Sequence, residues 1–266
     1  MKSSIRLAVL NGLSVVLVLF VNYYSQTGGI NNKTVGELSA KYNTLFTPAG
    51  YAFSIWGIIF LSLIAYSVYQ IHLAIKVDKP LKEHQQTGYL FALVNLGNAS
   101  WIIAWLYEFT GLSVIIIVLM LVGLLRIITN TNMERWDAPW KTIAFVWWPI
   151  CWYAGWISVA TIANVSAYLV KLGWTGGPLT ETTWAVIMIV IATIVNLYMI
   201  WTRNMREFAL VGIWALIAIF IRHQNELVSI AYPAIACAIL LGVNVTIHGY
   251  KNRMTNPILK MQEGTV

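Results

Sequence analysis

A chain of 266 residues that is 59% hydrophobic and only 10% charged, with a mean hydropathy of +0.70, has too little polar side chain to cover a water-facing surface. Soluble domains carry about a quarter charged residues, so the solvent here is lipid. The net charge of +7 is spread over short loops instead of gathered on one soluble face, which excludes nucleic acid as a partner.

Reading between charges gives uncharged stretches at 7–32, 42–75, 84–107, 109–125, 142–170, 182–202, 208–221 and 227–250. A transmembrane helix needs roughly 20 mostly apolar residues. The pattern predicts an all-α, polytopic bundle of about eight membrane helices. The first run follows Lys2 and Arg6, exceeds a signal-peptide core in length and lacks a small-residue cleavage pattern, so it reads as a helix that stays.

A polar stretch from about Gln26 to Thr47 follows, containing TGGINNKTVGE and YNTLFTPAG. Its asparagines and glycines read as irregular loop, long enough to fold over a cavity. The second span is expected to begin near Pro48, since a proline is tolerated in a first helical turn. KVDKPLKEHQQ (76–86) and NTNMERWDAPWK (130–141) are loops on the N-terminal side. The glycine-rich KLGWTGGPLTE (171–181) separates five spans from three and sets a boundary at residue 170/171, with a tail over 251–266. The seventh run, Phe208 to Ile221, is short; it is expected to extend past Arg222, whose side chain snorkels to the interface.

Eight spans also order the basic residues. Of the 17 Lys and Arg, only Lys33, Lys41, Lys171 and Arg222 fall on the side opposite the N-terminus. The remainder, including Lys76, Lys79, Lys82, Arg126, Arg135 and Lys260, share one side. The positive-inside rule then puts both termini in the cytoplasm, in a bacterial inner membrane.

Ionisable residues are missing from the span centres: Glu108, Glu181 and Glu226 lie at ends. That counts against an ion-coupled pump. His72, His84, His223 and His248 show no metal-ligand spacing, and His223 beside Arg222 and Glu226 reads as a solvated helix end. Cys151 and Cys237 lie inside predicted helices and read as small hydrophobes. No nucleophile–base pair, phosphate loop or metal motif appears, so no catalytic residue is assigned.

The fifth span is the densest feature: FVWWPICWYAGWISVATIAN (145–164) carries four tryptophans. Residues four apart share a helix face, so Trp148, Trp152 and Trp156 form a stripe. Trp101 and Trp105 repeat that spacing in the third span. Pro149 has no N–H to give the carbonyl of Phe145, which predicts a kink. Trp147 and Trp148 lie near the span's end and fit an interfacial belt. Trp152 and Trp156 lie deeper, where packing and a ligand wall are equal readings. Asn22, Asn95, Asn98, Asn164, Asn196 and Asn244 all fit interhelical hydrogen-bonding roles.

Pro149, Trp152, Trp156, Ala160 and Asn164, with WISVATIAN (156–164), resemble the fifth-helix pattern of the tryptophan-rich sensory protein family, which includes the mitochondrial translocator protein. FTPAGYAFSIWGIIF (46–60) is similar to that family's second-helix opening through Pro48, Tyr51, Phe53 and Trp56. Ala49 replaces a second proline, Trp56 arrives one position early, and NLGNASW (95–101) meets the third-helix motif loosely. The resemblance covers about 1–170; the family is built on five helices, and this chain adds three.

The resemblance implies an aromatic cavity for porphyrins, other tetrapyrroles, sterols or similar ligands, with no cofactor required. Tyr51, Trp56, Trp101, Trp105, Trp152 and Trp156 become the candidate wall. Asn98, Ser158 and Asn164 become candidate polar contacts. Three functions are open at this point: a binding or sensory protein for a planar lipophile; a facilitator of a lipophilic metabolite, with spans six to eight as a gate or homodimer face; and a light-dependent porphyrin-degrading enzyme.

Overall fold

The computed structural model describes residues 3–76, 86–253 and 261. All the regular elements among them are helical: α1 (Ser3–Gln26), α2 (Val35–Lys41), α3 (Ile55–Lys76), α4 (Leu90–Leu106), α5 (Thr110–Asn130), α6 (Trp140–Lys171), α7 (Glu181–Arg203), α8 (Arg206–His223) and α9 (Val228–Lys251). Every predicted span is a helix. Six are long and apolar enough to cross a membrane, α3 with the turn before it and α6 included. The other two are α4, with 17 residues, and α8, whose 18 residues include Arg206, Glu207 and Arg222. Lys79, Lys82, His84 and Lys260 lie outside the described residues, as does most of the 251–266 tail.

Five helices close a ring: α1 packs on α3 and α4, α4 on α5, α5 on α6, and α6 back on α3. The last three form a second group in which α8 contacts both α7 and α9 and also lies along α6. That contact is close because Gly155 lies there: a Cβ at this position would stand 2.9 Å from the carbonyl oxygen of Phe208. Small residues that let backbones approach are a main source of helix association in lipid. The ring's core, with Tyr66, Phe91, Trp147, Tyr153 and Trp156, runs directly into Phe208 and Val211 of α8.

Two local features depart from the sequence reading. The 26–47 stretch is not wholly irregular. Thr34 accepts from the backbone of Glu37 while the Glu37 carboxylate accepts from the backbone of Thr34, a capping box that starts α2. The chain then does not enter helix at Pro48; a 3-10 turn over Gly50–Ser54 comes first and α-helix begins at Ile55.

Just before Pro149 the helix widens into a π turn over Ile143–Trp147, in which Trp148 N–H donates to Ile143, five residues back. A turn of this width is one way for a helix to pass a residue with no N–H. Trp147 does not sit in an interfacial belt. It is 2% exposed, belongs to the ring's core and packs edge-on to Trp136 at 5.3 Å.

The interior asparagines tie helices together. Asn11 donates to Gln70 (3.3 Å), Asn22 to Asn98 (3.0 Å) and Asn95 to Ser14 (3.0 Å), linking α1 to α3 and α4. Asn196 instead bonds Ala192 of its own helix.

Candidate functional site

The segment between α1 and α3, with α2 at its centre, folds over one end of the ring as a lid. Two adjoining hollows lie beneath it. The inner one, about 50 Å³, is lined by Trp101, Trp105, Trp156 and Asn164 under Tyr42 and Pro48. The outer one, about 980 Å³, is lined by Tyr23, Trp56, Phe60 and Trp101, with Asn22, Gln26, Asn43 and Arg222 as polar groups. Val35, Ser39, Thr47, Pro48, Phe53 and Trp101 border both. Small-molecule sites usually enclose about 300–1,000 Å³, mostly apolar with a few placed polar groups.

The aromatic wall is organised ring by ring. Trp101 and Trp105, one turn apart on α4, stack at 5.7 Å with planes 11° apart. Trp156 meets Phe53 edge-on at 5.8 Å and Trp56 at 6.5 Å. Trp101 donates through Nε1 to Asn164 Oδ1 (2.8 Å), and Asn164 in turn donates to Ser113 Oγ on α5 (3.0 Å). The Asn164 amide thus fixes an indole face of the hollow from behind. Trp105 Nε1 reaches the carbonyl of Val35 at 3.4 Å, joining wall to lid.

Five of the sequence-selected residues meet at this place: Trp56, Trp101, Trp105, Trp156 and Asn164. Four do not line it. Trp152 stacks on Trp148 at 5.9 Å, away from the lid. Ser158 donates to Gly155 in its own helix (2.7 Å). Asn98 is fully buried and takes its bond from Asn22, itself a lining residue. Tyr51 is 41% exposed and packs edge-on to Trp214 at 5.3 Å.

The lid is fastened at both sides. On one, Glu108, in the turn after α4, accepts from Lys33, from Lys41 (2.6 Å) and from the Tyr42 hydroxyl. These bonds, that of Lys33 first, hold its carboxyl down to about 2. On the other side α8 acts as a clamp. Arg222 does not snorkel freely: its guanidinium donates to the carbonyls of Thr44 (3.0 Å) and Thr47 and to Asn43 Oδ1. Nor is His223 a solvated helix end. It is buried, with Nε2 3.0 Å from the carbonyl of Leu45. Trp214 Nε1 donates to the Ala52 carbonyl (3.0 Å), and Ala49 N–H donates to Ala218 (3.2 Å). The clamp joins positions some 170 residues apart, so no local signal in the sequence marks it.

A family model described as TSPO-like protein matches residues 8–247. The chain belongs to the TSPO-like family. That makes it an integral membrane protein of the sensing, binding or transport kind, in contact with lipid. The match runs past residue 170, where the motif resemblance ends, and takes in α7, α8 and most of α9. No curated protein and no solved structure matches the chain.

Proposed function

We propose that this TSPO-like protein is a binding or sensory protein that holds a planar, lipophilic small molecule of the tetrapyrrole type beneath the lid. The observation that carries the reading is the aromatic-walled hollow of about 980 Å³ bordered on one side by Val35, Gly36, Ser39 and Ala40 of α2 and on others by Trp56, Trp101 and Phe53. Flat conjugated ligands gain offset-stacking and edge contacts from such walls. Below the inner hollow, Tyr153, Ile150 and Ala154 are fully buried. A packed floor favours a site that holds a ligand over one that passes it through.

In this reading residues 1–170 form the ligand-holding bundle and 171–250 the helices that clamp its lid, with 251–266 as a cytoplasmic tail. Both termini face the cytoplasm of a bacterial inner membrane, supported by the skew of basic residues to that side. A homodimer is compatible with the lipid-facing helices.

The test is a dark titration of the purified chain with protoporphyrin, following tryptophan quenching. Saturable binding is expected. A Trp56→Leu/Trp101→Leu double variant should bind about tenfold more weakly, while Trp152→Leu should keep its midpoint because Trp152 does not border the hollow. Linear quenching that is equal in all three proteins would refute the reading.

A further inference from the structure

Arg222 borders the outer hollow, and among the described residues it is the one charged side chain that does so, in either hollow. Its guanidinium donates to three neutral oxygens, those of two backbone carbonyls and of the Asn43 amide. Ion pairs elsewhere on the lid go to Glu108, and no carboxylate among the described residues pairs with Arg222. A half-buried cation with no carboxylate paired to it among the described residues, at the edge of an apolar chamber, is strongly attractive to an anion. Hydrogen bonds in which both partners are ionised are shorter and about twice as strong as neutral ones. An arginine fixed in place by its own bonds costs less to use, because its side chain is already ordered.

We infer that Arg222 makes the hollow selective for an acidic ligand, one that sets its apolar plane against Trp56 and Trp101 and its carboxylate against this guanidinium. The inference rests on the binding reading above and narrows it to amphipathic carboxylic acids. It also gives α8 a direct part in recognition, beyond clamping the lid. Of the polar groups bordering the same hollow, the amides of Gln26 and Asn43 can donate to the second oxygen of a carboxylate, whereas Asn22 already gives its amide hydrogens to Val18 and Asn98.

The experiment compares protoporphyrin, which carries two carboxylates, with its dimethyl ester, which has the same ring and none. Both are titrated into the full-length wild type, Arg222→Gln and Arg222→Lys, in one detergent. The readout is the ratio of ester to acid dissociation constants within each protein. Differences in micelle partitioning cancel when that ratio is compared between proteins. The ratio should fall about tenfold in Arg222→Gln. In Arg222→Lys, where the charge remains but the fork to the lid is lost, most of the ratio should survive. A ratio unchanged in Arg222→Gln, or lost equally in both variants, would overturn the inference while leaving the aromatic site standing. Absence of saturable binding of either compound by the wild type would overturn both. Tryptophan emission of each unliganded variant reports whether the bundle is folded, and if Arg222→Gln is not, the Lys variant alone decides through the same ratio.

Discussion

Glu108 takes up a left-handed backbone conformation (φ 59°) in the turn between α4 and α5, where its carboxylate gathers Lys33, Lys41 and Tyr42 from the lid. Because these partners lower its pKa from 4.5 to about 2, the group favours the fastened lid wherever it is ionised. That contribution is complete above about pH 4.5 and is lost as pH falls through about 2. Amide hydrogen exchange in 34–42 should therefore be constant, once corrected for intrinsic rates, from neutral pH to about 4.5 and rise below it. Glu108→Gln should show the faster exchange at every pH. The lysines are 38% and 54% exposed, so the effect belongs to the lid and not to global stability. Asn164 acts on the other wall: Asn164→Leu removes the partners of both Trp101 and Ser113. It should cost about 1 kcal/mol in a reversible unfolding measurement, the scale of interhelical hydrogen bonds in membranes, and should free the Trp101 ring, seen as a broadened emission. Helix spacing puts Trp101 and Trp105 on one face of α4 and Trp156 and Asn164 on one face of α6, and the family pattern adds the second pair, so these residues were legible in the sequence. The separation of Trp152 from Trp156 was not. The stripe rule treats the helix as straight and says nothing of where a neighbouring lid ends. Arg222 was legible only as a charge at a helix end, since its partners lie 178 positions away in sequence.

At the scale of single elements, α2 is the clearest case of a signal present but outweighed. Thr34-Val35-Gly36-Glu37 has the spacing of a capping box, yet it stands beside asparagines and glycines that argue for loop. Seven residues are too few to be a stable helix alone, so α2 depends on its cap and on Val35 and Leu38, which bury against Trp105 and Ile102. Thr34→Ala should destabilise it by about 1 kcal/mol, read as faster exchange confined to 35–41. In α6, the missing N–H of Pro149 was legible but the π turn was not, because the remedy depends on packing around Trp147. The α6–α8 contact makes its own prediction. Gly155→Val would push a side chain into the Phe208 carbonyl and should lower the thermal midpoint by several degrees, whereas Gly57→Val, at a position with open space around it, should not.

Across the whole molecule, hydropathy alone marks the eight apolar helices, six of them long and apolar enough to cross a membrane, because lipid permits few other ways to satisfy the backbone. The closed five-helix ring and the three-helix annex follow from which faces meet, and a uniformly apolar sequence hides that. Nearly all faces look alike when core and lipid are equally greasy. Thus the annex appears in the sequence as an addition after residue 170, while in the folded chain α8 shares a core with α6 and holds the lid through Arg222, His223 and Trp214. The account's central claim is that the lid, the aromatic wall and this clamp enclose one ligand site. A structure of the full chain in lipid nanodiscs with bound protoporphyrin tests it most directly. Ligand density between α2 and the rings of Trp56 and Trp101, reaching toward Arg222, is the predicted result; density confined to the lipid-facing surface or to the Trp148–Trp152 pair, with the hollow under the lid empty, would contradict it.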